Sequence, residues 1–468
     1  MQQNTFKDNL QSICDKAKTM GANFADVRVV ETNNTSIVRQ DGRADKLSQS
    51  DSLGLGIRVL KNGAWGFASV SDFNIDLAFT ALQSAVEMAE ASVGDSDGQI
   101  FQQSPIEDYV YSKAQIDPRT ISVQKKMDAL KGYEDAAMKE AGDKLVNSIL
   151  NYIDRSQKEI VCNTFGTYVE SSTIRTYLNA LIVVKDGSVL QKGRARIGQP
   201  IGFELVESTK AVDFSVIAAQ TACRLLNAKL PPAGKFPVVF HPSVTGLLTH
   251  EATGHNAEAD HILAGSSIIA GKVGEKIASE LVTIIDDALI PDKWGSYVYD
   301  SEGTPASKRV IIEKGILKGY MHSLETAAKM GCLPNGSARA QDYESRPIIR
   351  MSNTYIEPGN TSFADMIKDI NLGIYLKGGE YGHVLCERGQ FTGHAGEAYM
   401  IRNGEICEML RDVSFAGMTL DTLENIDAVS NDFEMAMPGM CGKDGQGMYV
   451  DNGGPHVRVK EVVVGGQS

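Results

Sequence analysis

Two histidines and three carboxylates fall within twelve consecutive residues, Thr249-His250-Glu251-Ala252-Thr253-Gly254-His255-Asn256-Ala257-Glu258-Ala259-Asp260. A strand-like run, Phe236 to Phe240, leads into the stretch, and Pro242 suits the first turn of a helix. Val244, Leu247 and Leu248 then recur at helical spacing. The pattern predicts a strand followed by a buried helix whose far end is loaded with ionisable groups. Two imidazoles on one helix face can share a divalent ion such as zinc, and a glutamate beside the first can act as a general base. That arrangement normally spaces the histidines four apart. Here His250 and His255 are five apart, which on an ideal α-helix turns the second ring by roughly 140° onto another face. One ion can take both rings only if the helix bulges or ends between them. A single-turn π-bulge restores the facing, and Gly254 is a natural place for a break. The alternative is a helix end with two solvated histidines and a capping carboxylate.

A catalytic zinc site needs a third protein ligand. Glu258, Asp260, His261, His322, His383, His394 and the cysteines are the candidates. Context singles out Cys441, in Pro438-Gly439-Met440-Cys441-Gly442-Lys443-Asp444-Gly445-Gln446-Gly447. A glycine-rich loop leaves sulfur little steric cover, and exposed backbone N–H groups with Lys443 favour the thiolate. A free thiol in a tight turn is the alternative.

With 468 residues the chain exceeds what one core usually serves, so two domains are expected, 1–230 and 231–468, divided at Leu230-Pro231-Pro232-Ala233-Gly234. The first part is an α+β domain with hairpin sheets. Helices are predicted from Thr5 to Met20, Asn74 to Val93, Ile121 to Ala141 and Asp213 to Asn227. Between them lie strands at Ala25–Val30 and Ser36–Gln40, a hairpin turning at Asn62-Gly63 and another at Asp186-Gly187. Residues 1–93 and 121–227 thus repeat one order, helix, strands, helix, without sequence identity between them, and 94–112 reads as a loop. After the histidine helix, strands dominate without βα alternation. They include Val310–Ile312, Ile316–His322, Thr354–Glu357, Ala398–Arg402 and Val457–Val464, with short helices at Phe363–Leu372 and Leu420–Ile426. The class is α+β, with the metal-site helix carried by a C-terminal domain dominated by a twisted antiparallel sheet or barrel.

A formal net charge of −13 disfavours nucleic acid as a main partner. No apolar run approaches the roughly 18 residues of a membrane span, and the polar Met1–Asp15 has no signal-peptide core. The seven cysteines are scattered without paired spacing, which suits a reducing cytoplasm with most of them as small buried hydrophobes. No P-loop or GxGxxG after a strand supports nucleotide use.

Several further segments accompany the histidine stretch: Gly54-Leu-Gly-Ile-Arg-Val, Asp300-Ser-Glu-Gly303, Gly315-Ile-Leu-Lys-Gly-Tyr320, Arg350-Met-Ser-Asn353-Thr-Tyr355, Met440-Cys441-Gly-Lys-Asp-Gly-Gln446 and Val462-Val463-Val464-Gly465-Gly466. Together they make the chain resemble the TldD side of the TldD/PmbA (TldE) family of metallopeptidases, most strongly from Phe236 to Gly466. The resemblance implies a zinc-type ion, or a similar divalent first-row metal, held by His250, His255 and Cys441, with Glu251 as the catalytic carboxylate. It also implies hydrolysis of unfolded or short peptides inside an enclosed dimer, either a homodimer or a heterodimer with a PmbA/TldE-like paralogue. Asp451-Asn-Gly-Gly-Pro-His456 departs from the family pattern, and His456 reads as a surface residue or a substrate contact. Two other functions compete with this one. One is a non-catalytic binding or assembly subunit with a structural metal, which would not need Glu251. The other is a metal hydrolase acting on non-peptide amides.

Overall fold

The structure, a computed structural model, describes residues 2–92, 94, 97–435 and 437–466. The N-terminal half is built on one seven-stranded sheet. Strands Ala64–Val70, Arg43–Lys61, Phe24–Gln40, Leu145–Asn163 and Tyr168–Asp186 lie side by side, and Glu107–Val110 and Val189–Gln199 both pair with Tyr168–Asp186. The two segments of like order therefore join through their first strands, which run antiparallel from Asp26↔Asn163 to Gln40↔Ile149. The two strands expected at Ala25–Val30 and Ser36–Gln40 are one, because Phe24–Gln40 has a hydrogen-bonded neighbour along both edges. A central ladder holds even the polar Glu31–Thr35 extended. Both hairpins form where expected, with Asn62 and Gly63 at φ 52° and 80°. Glu107–Val110 is a short strand inside the segment expected as loop.

Helices Gln2–Thr19 and Ile75–Ala91 bury Leu10, Ile13, Leu82 and Ala85 against Val27 and Ile57. Val93, the expected end of the second helix, lies outside the described residues. The Asn74 side chain accepts the N–H groups of Asp76 and Leu77, which starts that helix. Helices Val123–Ala141 and Phe214–Leu225 cover Leu150, Leu178 and Ile182 in the same manner.

From Gly234 onward two sheets share the largest core. Strands Gly234–Phe240, Val457–Gly466, Val413–Met418, Gln390–Arg402 and Leu372–Leu385 pair in that order, and Leu372–Leu385 closes the ring onto Gly234–Phe240. The result is the expected barrel, five-stranded, with one departure: the closing pair is parallel, the others antiparallel. A second sheet carries Ile284–Asp287, Lys308–Glu313, Asn353–Ile356 and Gln446–Gly454. The predicted strand Ile316–His322 is reduced to Ile316–Leu317, and the predicted helix Phe363–Leu372 stops at Ile367, where Leu372 begins a barrel strand. Helix Pro242–Thr249 lies between the two sheets, against Leu372–Leu385, Asn353–Ile356 and Gln446–Gly454. Val244, Leu247 and Leu248 are buried there, as the periodicity requires.

Arg58 ties the two halves together. Its buried guanidinium donates to Asp26 within its own sheet and to Glu302 Oε1 at 2.8 Å across the boundary, and Glu302 Oε2 accepts the Leu324 N–H. Such a triad adds little net stability, but it penalises any other relative placement by leaving a charge buried alone. Among the described residues no helix is long and apolar enough to cross a membrane.

Candidate metal centre

Past Thr249 the helix widens. His250–Gly254 is a π-helical turn, and the His255 N–H bonds back five residues to the His250 carbonyl. The extra residue brings positions five apart onto one face. The two imidazoles meet with centroids 5.1 Å apart and planes at 82°. Glycine at the end of this turn lets the buried Met351 side chain pack directly against it, since a β-carbon on Gly254 would come within 1.9 Å of Met351 Sδ and make that side chain move. The bulge packs against Met351, and the Asn256 side chain donates to the Ala252 carbonyl at 3.0 Å.

Cys441 arrives from the hairpin Gly439–Lys443/Gln446–Gly454. Its Sγ stands 3.2 Å from His255 Nε2, and one ligand atom from each of His250, His255 and Cys441 falls within 4.8 Å of the others. A tetrahedral zinc with bonds of about 2.0–2.3 Å needs its ligand atoms about 3.3–3.7 Å apart, so small side-chain adjustments suffice. Nδ1 of His250 is buried with no hydrogen-bond partner. Two nitrogens and a sulfur, with a buried nitrogen left unsatisfied, fit a zinc-type ion.

The electrostatics agree. Burial works against a charged Cys441, but His250 and His255 outweigh it and bring the thiol down to about 4. Burial likewise opposes protonated His255, yet Glu258 and Cys441 raise its pKa well above the ordinary value. Glu258 is fully buried. Burial alone would raise its pKa, but His255, Lys443 and Arg350 pull it down to about 2. Its Oε2 lies 3.1 Å from His255 Nδ1 and 3.2 Å from Lys443 Nζ. Glu258 thus fixes the orientation of the His255 ring from behind. The glycine-rich sequence around Cys441 predicts a loop with little cover and Lys443 beside the thiolate. Instead Cys441 is buried on a strand, and Lys443 is held by Asp260 at 2.7 Å and by Glu258. The imidazoles, not the lysine, favour the thiolate.

The three groups face a cavity of about 460 Å³. Glu251 lines it, half-buried, with its Cγ side packed towards Gly382 of the barrel strand. Five consecutive residues of that strand, Glu380 to Val384, line the cavity. A sheet face would present alternate residues, so a strand edge is exposed here. Beyond Leu376 the strand pairs only with Gln390–Arg402.

Of the other candidate ligands, Asp260 and His261 gather around Glu258, and His383 lines the cavity. His322 lies elsewhere beside Thr326, and His394 stacks on Tyr381 at 4.3 Å. His456 is half-buried and does not line the metal cavity. It bonds Asp432 and, at 3.0 Å, the Tyr375 hydroxyl. Only Cys14, Cys162 and Cys441 of the seven cysteines are buried, fewer than expected. Arg196 went unnoticed in the sequence. From strand Val189–Gln199 it reaches the metal cavity, bonds the Gly379 carbonyl at 3.1 Å, and has its pKa lowered by burial. Nothing in the alternating Lys192, Arg194, Arg196 marks it out.

An imidazole pair and a cysteine on the wall of an open cavity, carried by a π-bulged helix and a hairpin beside a small barrel, make a candidate metal centre of the kind metalloenzymes use. Residues 25–93, 116–230 and 233–466 match, in turn, domain 1, the central domain and the C-terminal domain of the PmbA/TldA metallopeptidases. A "Metalloprotease" of Methanothermobacter thermautotrophicus is 40% identical over 95% of both chains. A "Zinc metalloprotease TldD homolog" of Saccharolobus solfataricus is 31% identical over 96% of this chain and 98% of its own. The crystal structure of TldE from Thermococcus kodakarensis superposes with a TM-score of 0.79 at 20% identity, over 98% of this chain and 100% of that one. The chain belongs to the TldD/PmbA family of metallopeptidases.

Proposed function

We propose that the chain is a zinc-type peptidase hydrolysing unfolded or short peptides, with His250, His255 and Cys441 as metal ligands and Glu251 as general base. The observation that carries this reading is the π turn, which brings His250 and His255 to Cys441 while leaving Glu251 on the cavity wall. A zinc ion held there would supply Lewis acidity, polarising a carbonyl and lowering the pKa of water towards about 7. Glu251 takes the proton of the attacking water and returns it to the leaving amine. The free edge at Glu380–Val384 offers main-chain partners to an extended peptide, and a folded domain cannot present its backbone in that way. Arg196 supplies positive charge to the same cavity, where a carbonyl oxygen gains negative charge.

The test is metal analysis and cleavage on the same preparation. About one equivalent of zinc per chain is expected, with cleavage of an unstructured peptide that stops on chelation and returns with zinc. A metal-replete chain that leaves such peptides intact would point instead to a structural metal in a binding or assembly subunit.

Glu258 provides a second check. Glu258→Gln keeps the shape but weakens the partner of His255 Nδ1, and Lys443 retains Asp260. Zinc affinity, measured by chelator competition, should fall about 10–100-fold. Unchanged affinity would mean that His255 is not oriented through Glu258.

A further inference from the structure

A second cavity, of about 390 Å³, opens between the N-terminal sheet and the C-terminal half. Arg155, Arg175 and Arg339 line it together with Tyr297, Tyr449 and Met440. Arg155 and Arg175 are direct cross-strand partners. Two like charges placed opposite each other destabilise a sheet. No carboxylate among the described residues forms an ion pair with any of the three. Arg175 donates to the carbonyls of Trp294 and Ser296 and to Thr173 Oγ1; Arg339 donates to the carbonyls of Met351 and Tyr449. Arg155 has one long bond, 3.4 Å to the Gln341 carbonyl, and its Nε is buried without a partner. Of the two carboxylates in the cavity wall, Asp300 accepts the N–H groups of Glu302, Thr304 and Ala338, while Glu159 faces Arg28 at 3.7 Å, has its Oε1 buried without a hydrogen-bond partner, and leaves one negative charge against three guanidiniums. Tyr449 lies 4.7 Å from the Arg175 guanidinium and 6.0 Å from that of Arg155, which eases the charge without neutralising it. Burial, with neighbouring guanidiniums adding to it, lowers the pKa of both Arg175 and Arg339 to about 10, and the nearby tyrosines and carboxylates offset this only in part.

Met440 lines this cavity and the metal cavity alike. It precedes Cys441 on the hairpin strand, so one thin hairpin separates the two spaces. We propose that the arginine cavity binds the C-terminal carboxylate of the peptide substrate, a placement that rests on the peptidase reading above. Three guanidiniums lining one open space match a carboxylate in charge, and Arg155, with a single long bond, keeps N–H groups to offer it.

The test uses the full chain carrying Glu251→Gln, loaded with zinc, so that peptides stay intact while bound. A labelled unstructured peptide without acidic residues is offered as free acid and as C-terminal amide, and binding is followed by fluorescence anisotropy. The acid should bind at least about tenfold more tightly, and added inorganic phosphate should displace the acid more readily than the amide. Arg175→Gln and, separately, the gentler Arg155→Gln should each cut the preference to below about twofold. Equal binding of acid and amide overturns the proposal, as does a preference that survives both substitutions. Phosphate binding with no acid preference also overturns it, marking a site for a free anion. An acid preference in a chain whose wild-type form cleaves neither peptide upholds the carboxylate site and rejects the peptidase reading.

Discussion

Glu251→Gln is expected to lower peptide turnover by about 10²–10⁴-fold, the usual cost of losing a general base. Zinc content and melting temperature should stay as in the parent. The side chain is half-buried on the cavity wall, and no described hydrogen bond or ion pair holds its carboxylate in the fold. Exchanging one oxygen for an amide therefore strands no partner, and the expected stability change is within about 0.5 kcal/mol. Turnover of an unstructured peptide, zinc by atomic emission and a thermal melt on one preparation separate the outcomes. Unchanged turnover in a zinc-replete variant would remove Glu251 from the chemistry. Lost zinc or a collapsed melt would make this turn a structural element.

Cys441→Ala and His255→Ala are expected to empty the metal site and reduce cleavage to background while the fold persists. Each removes one of three donors, and a catalytic zinc site holds its ion with only three protein ligands. The alanine at 441 replaces one small buried group on a strand whose backbone pairing with Gln446–Gly454 is untouched, a change of about 1 kcal/mol. In His255→Ala the buried Glu258 still has Lys443 at 3.2 Å, so its charge is not stranded. Full metal and full activity in both variants would break the ligand assignment.

The elements built on strong periodicity were legible. The apolar stripe of Val244, Leu247 and Leu248 announces a buried helix, and Asn62-Gly63 announces its hairpin, because both signals are local. Strand lengths were not. Polar residues such as Glu31–Thr35 carry no strand pattern of their own and are held extended by neighbours distant in the chain. Arg196 was invisible for the same reason, since its cavity is made by another domain.

The chain's own residues determined the chemistry available: two imidazoles five positions apart, a glutamate between them, a cysteine near the C-terminus, and glycine at 254. Local composition also determined that a helix would reach this point and meet difficulty there. Tertiary structure decided the rest. Met351 fills the space a side chain at 254 would need, beside the π turn that aligns the rings. The hairpin brings Cys441 to His255 across 186 residues of sequence. Glu258, Lys443 and Asp260 acquire their roles only because Lys443 returns to that helix, drawn away from the sulfur by two carboxylates. Spacing along a sequence constrains directions around one helix, whereas a metal centre depends on distances between elements, and packing alone sets those.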